Sequence, residues 1–188
     1  MSVNLTHKHD STPLHGSVEF GHLEATKILV ERGAAINYAN NNGDTPLMLA
    51  AYCGELEIFR YLTEIGSDVN IRDDDNNTAL HLAAQSGSVG IINLLLDKAM
   101  SVNVTNTDEF TQLHVSAESG HLEATKILVE GGAAVNKTNK YGFTPHMLAA
   151  YNGRLEIFRY LKEISPNINI SNANKTTVLH LAISIRDP

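Results

Sequence analysis

Nine histidines and a single cysteine are the residues of this chain with the most chemistry in them. Four of the histidines, His15, His81, His114 and His180, close the same short string, Thr-x-Leu-His, at multiples of one spacing. A metal shell needs several ligands converging on one point. One histidine per spacing places each ring in its own structural unit, so the pattern argues for a structural role and against a metal centre. His7 and His9 are close in sequence but have no third ligand nearby. His146 stands alone, in a position where the chain elsewhere has leucine: Leu14, Leu47, Leu80, Leu113 and Leu179. Cys53 has no partner for an intramolecular disulfide and fits a reducing compartment. Asp73-Asp74-Asp75-Asn76 resembles part of a calcium loop but lacks the glycine and distal glutamate of an EF-hand. No phosphate loop, nucleophile elbow or paired-carboxylate signature is present. The expectation is a chain without catalysis, metal or cofactor.

The spacing that scatters the histidines is the main feature. Thr12, Thr45, Thr78, Thr111, Thr144 and Thr177 keep a period of 33 residues without an insertion. A glycine follows each of the first five, at Gly21, Gly54, Gly87, Gly120 and Gly153, and an asparagine closes each unit at Asn37, Asn70, Asn103, Asn136 and Asn169. A period of this size means one supersecondary unit stacked on copies of itself. In the stretch from Asn41 to Asp73, Asn42-Gly43 marks a tight turn. Thr45 is an N-cap with Pro46 at the first helical position. Leu47, Leu49, Ala50 and Ala51 make a narrow apolar helix, and Gly54 breaks it. Leu56, Ile58, Phe59, Leu62 and Ile65 then give a second helix with one apolar side, ended at Gly66. Such a unit cannot bury its own apolar face, so neighbours must stack on it.

The segments DTPLMLAAYCGELEIFRYLTEIGSDVN and NTALHLAAQSGSVGIINLLLDKAMSVN resemble the ankyrin repeat at nearly every position, and the resemblance runs from about Asp10 to Ile183. It implies an all-α solenoid of helix-turn-helix units with β-hairpin finger loops. The repeats fall at about 8–40, 41–73, 74–106, 107–139 and 140–172, with a partial sixth at 173–188, in one domain spanning 1–188. Stacking at helix-pair spacings of about 8–10 Å gives a gently curved rod about 50–60 Å long. The resemblance also gives the histidines of Thr-x-Leu-His the task of bonding loop backbone between repeats. His22 and His121, which open second helices, are expected to face solvent or cap. In the family, fingers and first helices line a concave face that binds other proteins.

Mapped onto this chain, the contact positions include Tyr52, Phe110, Tyr141, Phe143 and Tyr151, aromatics concentrated toward the C-terminal end. They serve either as interface anchors or as packing between neighbouring fingers. Asp74, Asp75 and Asp108 belong to an acidic stretch in the middle, either a steering surface or a solvated rim. Together they imply a protein partner carrying basic and apolar residues. The net charge is −7, which argues against nucleic acid as a partner. No apolar run approaches membrane-spanning length, and the N-terminus carries no apolar signal segment. A monomeric, cytoplasmic protein is expected, with the nucleus as an alternative. Two other readings stay open: a structural spacer in a larger ankyrin-repeat protein, or a targeting or regulatory subunit of an enzyme.

A second period overlies the first. Residues 12–71 match residues 111–170 at about two-thirds of positions, which points to duplication of a three-repeat block. Stacking positions agree between the copies. Finger tips differ, at Asn41 against Lys140, Asn42 against Tyr141 and Asp44 against Phe143. The ends depart from the pattern. Gly16-Ser17-Val18 predicts a loose first helix, Ala99 and Ser165 replace terminal glycines, and the half-repeat at 173–188 is expected to fray or to continue into a longer chain.

Overall fold

A computed structural model of the chain describes residues 3–165. Among them are ten α-helices in five antiparallel pairs. They are α1 (Pro13–Glu19) with α2 (Leu23–Glu31), α3 (Pro46–Cys53) with α4 (Leu56–Glu64), α5 (Ala79–Ser86) with α6 (Val89–Asp97), α7 (Gln112–Ser119) with α8 (Leu122–Glu130), and α9 (Pro145–Tyr151) with α10 (Leu155–Ile164). The first helices pack on one another in sequence, α1 to α3 to α5 to α7 to α9, and the second helices form a parallel row behind them. This is the all-α solenoid that the repeat pattern requires. The half-repeat at 173–188 lies outside the described residues.

Local chemistry places each helix start. Thr45, Thr111 and Thr144 accept from the backbone N–H three residues on, as N-caps do. The first helix of the chain, expected to be loose, forms from Pro13 to Glu19 behind the N-cap Thr12, and ends one residue earlier in register than α3, α5 and α7. Ser17 replaces the alanine found at Ala50, Ala83 and Ala149. Its buried hydroxyl donates to Leu14 O at 2.9 Å and lies 3.0 Å from the Thr26 hydroxyl. Ser116 and Thr125 repeat this pair at 3.1 Å in the duplicated copy. A buried polar pair survives there because each hydroxyl is satisfied.

The core runs between the two helix rows. Leu47, Ile58, Phe59 and Leu62 are buried, and Leu80, Ile91, Ile92 and Leu95 occupy the same registers one unit on. The small side chains of Ala50, Ala51, Ala83 and Ala84 are also fully buried, which lets the first helices approach closely.

Between the pairs, the fingers stack through backbone bonds. Asn41 N–H donates to His9 O (3.0 Å), Asp74 N–H to Asn42 O (3.0 Å), Thr107 N–H to Asp75 O (2.9 Å) and Lys140 N–H to Asp108 O (3.1 Å). Each finger closes on itself, as in Asn40 N–H to Asp44 O at 3.0 Å and Gly43 N–H to Asn40 O at 3.0 Å. Among the described residues no β-strand forms, so the fingers are hydrogen-bonded turns.

The closing asparagines hold the opposite edge. Asn37 Oδ1 accepts from Asp68 N–H (3.0 Å) and Asn103 Oδ1 from Ala134 N–H (2.7 Å). Asn70 departs from this: its N–H and amide both donate to its neighbour Asp68. The loop that Asn70 would brace contains Ala99, held at φ 58°, a region that penalises any Cβ. Ala99→Gly is expected to raise stability by about 1 kcal/mol, read as a higher urea midpoint with an unchanged slope. A neutral or lower midpoint would mean that this loop is not strained.

Candidate functional site

Three histidines of Thr-x-Leu-His, His15, His81 and His114, are fully used by the scaffold; His180 lies outside the described residues. Thr12, Thr78 and Thr111 each donate their backbone N–H to the Nδ1 of His15, His81 and His114, at 3.2, 3.1 and 3.1 Å. Nδ1 is therefore an acceptor, and the proton sits on Nε2. Nε2–H then donates to the next finger: His15 to Asp44 O (3.1 Å), His81 to Phe110 O (3.1 Å), His114 to Phe143 O (3.0 Å). Burial pushes all three imidazoles below their ordinary value, His81 and His114 to about 4. Met48 and Met147 occupy the same position in the second and fifth pairs and make no such bridge.

His121 corrects the expectation that it faces solvent or caps. Its ring folds over Gly87 and Nε2–H donates to Gln85 O at 2.9 Å, back across the unit boundary. Arg154, at the same register, donates Nε–H to Glu118 O at 3.0 Å. Gly87 and Gly120 have φ +70° and +94°, and a Cβ on either would fall 2.5 Å from the His121 ring or 2.9 Å from Arg154. Hence the mid-unit glycine serves both the left-handed turn and the side chain crossing it. Arg154→Ala is expected to lower stability by about 1 kcal/mol, seen in urea unfolding. An unchanged midpoint would show that water replaces the bond at no loss.

The aromatics named from the sequence all lie on fingers or at the ends of first helices. Tyr151, Tyr141 and Tyr52 are 63%, 50% and 49% exposed. Phe143 and Phe110 are half-buried. Phe143 meets the Tyr151 ring edge-on at 6.2 Å, and Phe110 lies 5.6 Å from the His114 ring. Packing against their own unit thus covers part of the two phenylalanines and leaves the tyrosines open. Lys140 stands 5.7 Å from the Tyr141 ring centroid and pairs with Asp108 at 2.9 Å. That pair holds the Asp108 carboxyl below its usual range and compensates its charge locally. Phe20, 71% exposed, is the most open large apolar side chain described. It sits in the contact register just before the mid-unit glycine Gly21, at the opposite end of the stack from Phe110, Tyr141, Phe143 and Tyr151.

The acidic residues gather in a trough between fingers and first helices. A cavity of about 660 Å³ is lined by Glu19, Tyr52 and Gln85 from the helices and by Asp44 and Asp73 to Asp75 from the fingers. Asp75, Asn77 and Gln85 continue into a second groove of about 300 Å³ that reaches Asp108, Phe110 and Glu118. Asp73 is committed to its own turn, accepting from Asn77 N–H at 2.7 Å and from the Asn77 amide at 2.8 Å. Asp74 and Asp75 are exposed. Burial, and then the charge of Asp73, push the Asp44 carboxyl up. Phe110 occupies a costly place in this wall. One finger earlier, Asn106 donates its amide to Asn77 Oδ1 at 2.9 Å. The next amide in register, Asn139 Nδ2, is buried with no partner, because Phe110 stands where Asn77 stood.

This geometry agrees with sequence similarity. The family model for ankyrin repeats matches the chain in three copies, over residues 1–73, 65–139 and 131–187. The chain belongs to the ankyrin-repeat family. Ankyrin repeats are in general protein–protein interaction modules, and the family is typically non-catalytic. No curated protein matches this ankyrin-repeat chain. Among its described residues, no group of three or more His, Cys, Asp or Glu is placed to hold a metal ion. No described helix is long and apolar enough to cross a membrane.

Proposed function

We propose that this chain is a non-catalytic binding module that holds another protein on its finger and first-helix face. One observation carries the reading: Tyr141 and Tyr151 stand half or more exposed around Phe143 on tightly braced elements. Tyrosine supplies large amphipathic contact area with few rotors to freeze, and such side chains form interface hot spots. Tyr141, Phe143, Tyr151 and Phe110 are the anchors, with Tyr52 as an outlying one and Asp74 and Asp75 steering. Asp108 holds Lys140 in place over Tyr141. The stacked fingers make the surface rigid before binding, which limits the ordering cost on association. Phe110 supports the same reading, since it leaves the Asn139 amide unpartnered while its own ring stays partly open on that face.

The test compares proteins captured by the native chain with those captured by a Tyr141→Ala, Phe143→Ala, Tyr151→Ala variant, both shown folded by circular dichroism. A partner retained by the native chain and lost from the variant is the expected result. Identical capture by the two would overturn the assignment of the anchors, and no specific capture at all would favour the spacer reading.

A further inference from the structure

The edge away from the fingers is braced at every described boundary but one. Asn4 and Asn103 each take a loop N–H and a loop C=O of the next unit. Asn4 meets Ala35 N–H at 2.9 Å and Gly33 O at 3.3 Å, and Asn103 meets Ala134 N–H at 2.7 Å and Gly132 O at 3.1 Å. Asn37 takes the Asp68 N–H at 3.0 Å, and Asn136 meets the Ser165 hydroxyl at 2.8 Å. Asn70 is tied to Asp68 through its N–H and its amide and does not cross. The two groups it would take by register, Ala99 O and Ser101 N–H, bond to no described residue.

A cavity of about 410 Å³ lies at this gap, between the exit loops of the second and third units. Val69, Met100 and Val104 give it apolar walls. Arg72 and Lys98 stand at it with Asn70 and Ser101, and no carboxylate lines it. Arg72 is held in place by Asn76, whose Oδ1 accepts from Nη1–H at 3.0 Å. Among the described residues neither cation takes part in an ion pair. In a chain of net charge −7 such a place is an exception, and it is peculiar to this boundary. The same two registers hold Ala39 and Ile65, Thr105 and Gly131, and Thr138 and Ile164 at the others. The missing brace, the open main-chain groups and the two cations therefore coincide.

Uncompensated cations beside an open N–H select an anion. A carboxylate presents two acceptor oxygens and no donor, so it satisfies the Ser101 N–H and a cation together. A bare ion would leave the apolar walls in water, whereas an aliphatic body covers them. The volume falls in the range of small-ligand sites, about 300–1,000 Å³. We infer that this cavity binds an aliphatic carboxylate. The carboxylate takes the Ser101 N–H between Arg72 and Lys98, and the aliphatic body lies on Val69, Met100 and Val104. A bound acid supplies across this boundary the link that Asn4, Asn37 and Asn103 supply elsewhere. The cavity shares no residue with the trough or with the groove that extends it, so the site is separate from the finger and first-helix face.

The probe is isocaproate, titrated into the full chain and followed by two-dimensional amide NMR. Its controls are isocaproamide, which has the body without the charge, and acetate, which has the charge without the body. The expected result is a saturable shift of the amides at 69–72 and 98–104, with a Kd of about 1 mM or tighter. Both controls should bind at least about tenfold more weakly. Arg72→Gln with Lys98→Gln, both exposed, is expected to lose at least about tenfold in affinity, while Arg60→Gln with Lys126→Gln, the same charge change on the second helices, keeps it. Asp68→Ala frees Asn70 to take the Ser101 N–H and is expected to weaken binding, although the loss of a negative charge alone would tighten it. A peptide ending in Gly-Ser-Gly-Leu, with a free and with an amidated C-terminus, separates the sources. Binding of the free-ended peptide but not the amidated one supports the inference with a chain terminus as ligand, and binding of isocaproate alone supports it with a small acid. No saturable shift in these loops, equal affinity for isocaproate and its amide, or unchanged binding in the Arg72/Lys98 variant would overturn the inference. Tighter binding by the Asp68→Ala variant would overturn the role of Ser101.

Discussion

Lowering the pH from about neutral to about 4 is expected to destabilise the stack steeply, through the buried histidines rather than the carboxylates. His81 and His114 have folded values of about 4 against an ordinary value of 6.5. The fold therefore favours the neutral ring, and the unfolded chain binds the proton more readily. This stability is present in full above about pH 6.5 and is lost as the pH falls from 6.5 toward 4. A shift of this size is worth about 3 kcal/mol per ring, a large share of the roughly 5–15 kcal/mol that holds a domain together. Geometry explains the preference. Each Nδ1 must accept from a threonine N–H, so a proton there removes the acceptor while the ring remains buried. Arg72 and Gln112 face His81, and Lys137 and His81 face His114, so no carboxylate is placed to receive either imidazolium. His15 and His146 shift in the same direction. The raised carboxyls of Asp44 and Glu118 work the opposite way and soften the loss at its acid end. Urea unfolding across this range should show a falling midpoint. His81→Met with His114→Met, the residue the chain itself uses at Met48 and Met147, should flatten that slope while lowering stability at neutral pH. A slope unchanged in the double variant would assign the acid sensitivity elsewhere.

His146→Leu is expected to stabilise the chain by about 1–3 kcal/mol. The four described leucines at this register are at most 1% exposed, and His146 itself is 3% exposed. Its Nε2 is buried without a partner, and its ring stacks on Phe158 at a centroid distance of 5.0 Å. Leucine has similar volume, keeps the contact with Phe158 and removes the unsatisfied nitrogen. Burial, and then Lys162, lower the His146 value, so the ring is carried neutral and the benefit of leucine should grow as the pH falls. For a chain of this size each kcal/mol corresponds to about 2–4 °C in Tm. A lower Tm would mean that the Phe158 stack outweighs the unpartnered nitrogen.

These two predictions show where sequence reasoning reached and where it stopped. The leucine register at His146 was legible because five other copies define what the position wants. The histidines of Thr-x-Leu-His were legible for the same reason. Their tautomer and their depressed values were not, because both depend on which carbonyl the neighbouring finger presents. The bridges made by His121 and Arg154 were not legible: nothing in a residue that opens a second helix says that it will reach across the mid-unit glycine of the preceding unit to an earlier carbonyl. The repeat register places the aromatics on fingers and at the ends of first helices. Their different exposures, and the pairing of Asp108 with Lys140, emerged only when fingers from separate units were set side by side.

The sequence by itself determined that this chain is a stack of like helix pairs, because period, caps, breakers and apolar registers are local signals repeated in phase. It also determined which registers face the fingers. Only the tertiary structure decided which of those residues form a surface. Residues 33 apart become neighbours across a unit boundary, and whether a side chain there is paired, covered or open depends on the unit stacked beside it. Asp44, Asp74 and Asp75 line one trough for that reason, and Phe110 leaves Asn139 without its partner for the same one.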